Sequence, residues 1–209
     1  MLKERTLPAG FIAPCLPTKA QRPPSGDAWL HEIKHDGFRV IARKDGAKVR
    51  LYSRPGNDLT YRFPRIVESM ARLRARSCII DGEAVCCGDD GVPSFDRVRY
   101  RRQDASVFLY AFDLIELNGD DLRRDRLEVR KATLAPLSWP GLATAFGSMT
   151  TSRTTARLCS STPASSGSKA SSASGSTRPI AAAGRPDWLK MNNPNAPAVK
   201  REAEEDWGR

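Results

Sequence analysis

The stretch Glu32 to Arg39, "EIKHDGFR", sets Lys34 two residues ahead of Asp36-Gly37 and five ahead of Arg39. Such a run is either a charged surface loop or the setting for a lysine amine that attacks phosphorus. As a nucleophile, lysine starts at a disadvantage. Its ordinary pKa is about 10.4, so near neutral pH on the order of one amine in a thousand is unprotonated, a handicap of roughly 4 kcal/mol. A neighbouring cation such as Arg39 would lower that pKa and neutralise phosphate oxygens.

A lone K-x-D-G is weak evidence, and its company in the right order is what lifts it. "SRPG" (53–56), "DGEAV" (81–85), "YAFDLIELNG" (110–119) and "DWLKM" (187–191) follow in turn. Taken singly, each has a plain structural reading. Arg54 is a solvated loop charge, Glu83 caps a turn, Phe112 belongs to an apolar strand, and Lys190 says nothing. No G-x-x-x-x-G-K-[ST] run exists, which removes a P-loop ATPase from contention.

Together these blocks resemble the nucleotidyltransferase motifs of ATP-dependent DNA ligases of the bacterial type, over roughly residues 8–137 and 184–209. The resemblance implies a short ligase without an OB-fold, acting on nicked duplex DNA with ATP and Mg²⁺, and a DNA-clamping or repair partner in place of that fold. Lys34 would take AMP from ATP as a lysyl-AMP phosphoramidate. Glu32 matches the residue at the adenine edge, and Arg39 and Arg54 match arginines at ribose and phosphate. Glu83 matches the carboxylate that holds the ribose and can assist a metal. Phe112 matches the ring that stacks on adenine, and Lys190 a lysine at the α-phosphate. RNA ligases and capping guanylyltransferases share this lysyl-nucleotide chemistry, and an inactive remnant that binds nucleotide or DNA weakly would keep the same blocks. Two departures stand out. Asn192 occupies the place of a second lysine in the last motif, and a block of the form E-G-I-V-x-K, due between Phe112 and Lys190, is missing.

The elements that must hold these residues are legible from pattern. Residues 28–34, 38–44, 47–53, 77–87 and 106–117 are strand-like, with Asp45-Gly46 and Asn118-Gly119 as turns. Phe63, Ile66, Val67, Met70 and Leu73 recur at helical spacing within 60–75, and 126–137 reads as a second helix. Irregular alternation with hairpin turns points to an α+β fold with antiparallel sheets. The resemblance narrows this to the ligase adenylation fold, two mainly antiparallel sheets with flanking helices around a nucleotide cleft. Residues 1–27 form a Pro-rich lead-in, 28–137 the adenylation domain, and 184–209 the last nucleotide-binding motif and a polar tail.

Composition agrees with that frame. The chain has 209 residues, 40% of them hydrophobic, enough for one substantial core. A formal charge of +10 suits a polyanionic partner such as nucleic acid. Five scattered cysteines without C-x-x-C spacing and only two histidines, His31 and His35, argue against zinc and for reduced thiols. The N-terminus has no apolar signal region and no run reaches membrane-spanning length, so a cytoplasmic protein without membrane contact is expected.

Between 142 and 183 the texture changes. That window holds 11 Ser, 7 Thr and 9 Ala, with no Asp or Glu. Small polar residues without apolar period bury too little surface to offset ordering at about 1–2 kcal/mol per residue, so irregular structure is expected there. The tract also reads as a shifted frame. One base upstream, the codons of 161–175, "STPASSGSKASSASG", permit HACKLGLEGIVSKR, which contains the missing block. The tract is then an out-of-frame part of the same domain.

Overall fold

A computed structural model describes residues 10–22, 29–88, 93–100, 106–137, 146–148, 169–174 and 185–190; for 29–34, 146–148, 169–174 and 185–187 it describes the backbone alone. Two sheets dominate. The larger is six-stranded, and its backbone path runs β4 (Lys48–Ser53), β3 (Phe38–Asp45), β5 (Ser77–Val85), β6 (Phe108–Leu117), β7 (Asp120–Asp121). These neighbours are antiparallel, and β8 (Phe146–Ser148) adds a parallel pairing beside Leu109–Ala111 of β6. The smaller sheet has the order β1 (Pro17–Lys19), β10 (Arg185–Lys190), β9 (Lys169–Ser174), β2 (Trp29–Lys34). Its β9 runs antiparallel to both neighbours, while β1 and β10 are parallel.

Period-two alternation divides the larger sheet into two faces. Val40 and Ala42 of β3, Ile80 of β5, and Leu109 and Leu114 of β6 join Leu51 of β4 in one core. Phe63, Ile66 and Met70, in and just before α1 (Pro64–Ala71), close over it, with Leu134 of α3 (Leu127–Leu137). Ile41, Ile79 and Ile115 face the other way and are covered by Phe11, Ile12 and Tyr52.

The strand and hairpin expectations hold, and Gly46, Asn118 and Gly119 all take the positive φ that their turns require. The first helix is shorter than its apolar period. Thr60 is held in a turn, its hydroxyl accepting from the Leu51 amide and its own amide donating to Asp58. Pro64 then starts the helix at its first turn. At the far end the buried Lys44 ammonium donates to the Ala71 and Leu73 carbonyls, 2.6 Å each, where the helix leaves acceptors unsatisfied.

The tract 142–183 corrects an expectation. Strands occupy Phe146–Ser148 and Lys169–Ser174, where irregular structure was expected. The reason lies in the backbone. Between β2 and β10 a slot offers ladder partners on both edges, and any non-proline backbone can fill it. The remainder of the tract lies outside the described residues.

Candidate active site

The chain crosses from one sheet to the other within three residues. β2 ends at Lys34 in the smaller sheet, and β3 begins at Phe38 in the larger. In the small-sheet register, Glu32 and Lys190 both pair with Ser171, and Lys34 pairs with Lys169. Glu32 and Lys190 are thus two ladder spacings apart, about 10 Å between backbones. The sequence blocks around Lys34 and Lys190, some 150 residues apart in the chain, meet on one sheet through β9.

The larger sheet supplies a second group of residues. Arg39 and Glu83 are register partners across β3 and β5. Arg39 makes a two-pronged ion pair with Asp81, Nε to Oδ1 at 2.5 Å and Nη2 to Oδ2 at 2.7 Å. Its guanidinium carbon lies 4.4 Å from the centroid of the Phe112 ring. Burial works against the Arg39 charge, but Asp81, with Glu83 and Asp113 beyond it, outweighs that and holds the guanidinium above its ordinary value. Burial also pushes the Asp81 carboxyl up, against the pull of Arg39. Arg39, Asp81, Glu83 and Phe112 form one continuous polar and aromatic patch beside the cluster that Phe11 and Ile12 cover. The lead-in segment bounds it, with the Gly10 carbonyl accepting from Arg43 at 3.0 Å and the Cys15 carbonyl from Arg39 at 3.5 Å.

Two glycines set the distances. Neither Gly37 nor Gly82 has a positive φ, so neither is there for a turn. A Cβ on Gly37 would overlap the Ala84 carbonyl oxygen and sit 3.0 Å from Glu83 Cγ. A Cβ on Gly82 would lie 2.5 Å from the Tyr110 carbonyl oxygen and 2.8 Å from Leu109 Cδ1. Close approach of backbones is their purpose, first of the lysine loop to β5 and then of β5 to β6.

Phe112 is nearly buried, and its strand is fixed from behind by α3. Arg130 donates to both oxygens of Asp113, at 2.7 and 3.1 Å, and to the Asp125 carbonyl at 2.6 Å. The Lys131 ammonium donates to the Phe112 carbonyl at 2.7 Å. His35 stacks on Tyr110 with centroids 4.0 Å apart and planes within 8°.

The structure therefore brings Arg39, Glu83 and Phe112 together on the larger sheet, and puts the backbones of Lys34, Glu32 and Lys190 together on the smaller one. Arg54 is not brought into contact with them. It is exposed on the loop after β4, where a Cβ on Gly56 would meet the Phe11 ring at 3.1 Å. Asn192 lies outside the described residues. Asp81, Asp113, Arg130 and Lys131 escaped the sequence reading. An aspartate inside each of two apolar strands was the available signal, since a buried carboxylate demands a partner. Among the described residues no cluster of three or more metal-ligating side chains occurs. None of the described helices is long and apolar enough to cross a membrane.

Comparison with known proteins converges on one family. The model for the ATP dependent DNA ligase domain matches residues 17–146. The multifunctional non-homologous end joining protein LigD of Pseudomonas aeruginosa is 35% identical over 130 residues, covering 61% of this chain and 15% of that protein. The corresponding LigD repair protein of Mycobacterium tuberculosis is 37% identical over 110 residues, 53% of this chain and 14% of that one. Among solved structures, the ligase domain of M. tuberculosis LigD superposes with a TM-score of 0.68 at 27% identity, covering 86% of this chain and 60% of that one. A mycobacterial DNA ligase D complexed with ATP and MES gives 0.65 at 27% identity, with 87% and 60% covered. The chain thus spans a small part of the length of these curated relatives.

Proposed function

The chain belongs to the ATP-dependent DNA ligase domain family, and from that premise we propose that Lys34 is its nucleophile and that it seals nicks in duplex DNA through a lysyl-AMP intermediate. The observation that carries the reading is the convergence of Arg39, Glu83 and Phe112 on one patch, reached from the end of β2 by a three-residue crossing. In this reading the Lys34 amine, after losing a proton, attacks the α-phosphorus of ATP. The N–P bond forms as the P–O bond to pyrophosphate breaks. AMP passes to a 5′-phosphate, and the adjoining 3′-hydroxyl displaces it to close the nick.

The side chains have separate tasks. Phe112 offers a face to adenine, and Glu32 its edge contact. Glu83 takes the ribose hydroxyls, and Arg39, anchored by Asp81, presents its remaining donors to ribose or phosphate. Lys190 neutralises the α-phosphate, and Arg54 is a further phosphate contact only if its loop closes inward. Mg²⁺ fits as well, because it takes one or two carboxylates and leaves its other positions to water and phosphate; Glu83 would hold it, and it would supply charge neutralisation on the phosphates. The names of the LigD relatives place them in end joining, and break repair is the setting we propose for this chain.

The frame of 142–183 is part of the same proposal. The glutamate of the alternative string falls at the junction of codons 168 and 169, and Lys169 is the register partner of Lys34. The occupied slot between β2 and β10 supports a strand whose proper residues are those of the other frame. As written, the strand brings serines and alanines where a glutamate and a lysine would face phosphate, and each charge-assisted contact is typically worth about 1.5–3 kcal/mol.

Incubation with α-labelled ATP and Mg²⁺ tests the reading. The chain is expected to acquire a slow, acid-labile AMP adduct that Lys34→Ala abolishes, and a chain restored to the other frame across 142–183 to acquire it much faster. Label surviving in Lys34→Ala removes the nucleophile assignment. Equal rates with and without the frame change remove the role given to the strand. Substituting GTP, and nicked RNA for nicked DNA, separates this reading from capping and RNA-ligase chemistry.

A further inference from the structure

We propose that His35 is a positioning residue, a clasp that locks the nucleophile loop onto the larger sheet through its stack on Tyr110; the proposal rests on Lys34 being the nucleophile. His35 is the first residue after the strand that Lys34 ends, and adjacent Cα atoms are about 3.8 Å apart. The His35 ring lies face to face with Tyr110, centroids 4.0 Å apart and planes within 8°. Tyr110 is almost fully buried, and the Phe108 ring lies tilted beside it with centroids 5.1 Å apart. It is also the register partner of Glu83, and it sits two residues before Phe112 on β6.

The crossing between the sheets is only His35, Asp36 and Gly37. Gly37 pins its far end to β5 by close backbone approach. The His35 stack supplies a second pin, on β6, at the end that carries Lys34. Two fixed points on two strands of one sheet define the orientation of a three-residue link. The lysine backbone is thereby set relative to Glu83 and Phe112 before ATP arrives. Neither ring needs to touch the nucleotide for this to matter. A reacting atom displaced by about 1 Å can cost 10²-fold in rate.

The test compares the full chain with His35→Ala, His35→Phe and Phe108→Leu in the rate and ATP dependence of AMP-adduct formation, over time courses long enough for slow labelling. Alanine is expected to lower the maximal rate by about 10- to 100-fold with the ATP half-saturation changed less than about twofold. Phenylalanine, which keeps the stack, should recover the rate to within a few-fold. Phe108→Leu removes aromatic area from the same cluster and should leave the rate close to wild type. His35→Ala at the wild-type rate overturns the clasp. So does a loss confined to ATP half-saturation, a phenylalanine variant as slow as alanine, or an equal loss in Phe108→Leu. A wild-type chain that takes no label, or label persisting in Lys34→Ala, overturns the lysyl-AMP reading and the clasp with it, an outcome distinct from the clasp failing alone.

Discussion

Gly37→Ala should act on the speed of the lysine without acting on the affinity for ATP. The new methyl carbon would fall within the van der Waals shell of the Ala84 carbonyl oxygen, 3.1 Å from that carbonyl's carbon and 3.0 Å from Glu83 Cγ. Carbon contacts relax toward about 3.5–4.0 Å, so the loop must retreat from β5 by about 1 Å. Because β5 is an inner strand held on both sides by β3 and β6, the loop yields rather than the sheet. A shift of that size at a group three residues from Lys34 predicts a rate loss of about 10²-fold, or ~2.7 kcal/mol of barrier. Single-turnover labelling with α-labelled ATP reads the rate, and titration of ATP binding reads the affinity, expected to fall less than about threefold because Phe112 and Arg39 are untouched and Glu83 stays with its inner strand. A thermal melt guards against simple unfolding. If Gly37→Ala labels within threefold of wild type while folded, the close approach does not set the nucleophile, and the argument built on that loop fails.

Gly82→Ala should show the opposite signature, because its methyl would separate β5 from β6, and with them Glu83 from Phe112. Calorimetry should find weaker ATP binding by about tenfold or more, and unchanged affinity would show that the two strands do not share the nucleotide. Arg130→Met should cost about 3–5 kcal/mol in urea unfolding, since it strands the Asp113 carboxylate in the core, and pairing it with Asp113→Leu should recover most of that loss. A single-variant loss below ~1 kcal/mol would mean that Asp113 finds water or another donor. Burial, reinforced by the Glu116 carboxylate, pushes the Cys78 thiol up to about 12 from 9.0. The folded thiol therefore stays protonated where an unfolded one ionises, so stability should decline as pH rises from about 9 toward 12. At pH 8.5 iodoacetamide should modify Cys78 only as fast as the chain unfolds, as read by peptide mass mapping.

What the sequence reveals and what it conceals follow from how local each signal is. Hairpin glycines at 46 and 119 are visible because a turn is specified by the residues that make it. The Asp-Gly pairs at 36–37 and 81–82 look alike in sequence yet serve close packing, which depends on a strand from elsewhere. The ion pair between Arg39 and Asp81 spans 42 residues and has no period to betray it. Phe112 was singled out only through the order of the blocks, since an aromatic in an apolar strand looks like core. Strand structure at 169–174 was missed for the converse reason. Side-chain composition argued against order there, while the neighbouring backbones supplied the partners.

The smaller sheet draws β1 and β2 from the first 34 residues and β9 and β10 from 169–190. The main body of the larger sheet needs nothing beyond residue 121. During synthesis the two therefore mature at different times. Hairpin pairings of β3, β4, β5 and β6 can form as soon as they emerge, while β2 waits for a partner made roughly 50 residues later still. At about 5–20 residues per second that interval is several seconds, during which an unpaired strand edge next to Lys34 is open to any passing chaperone or second chain. Slower translation across the tract would lengthen the exposure, and a codon slip within it strikes the one strand that both halves of the sheet are waiting for.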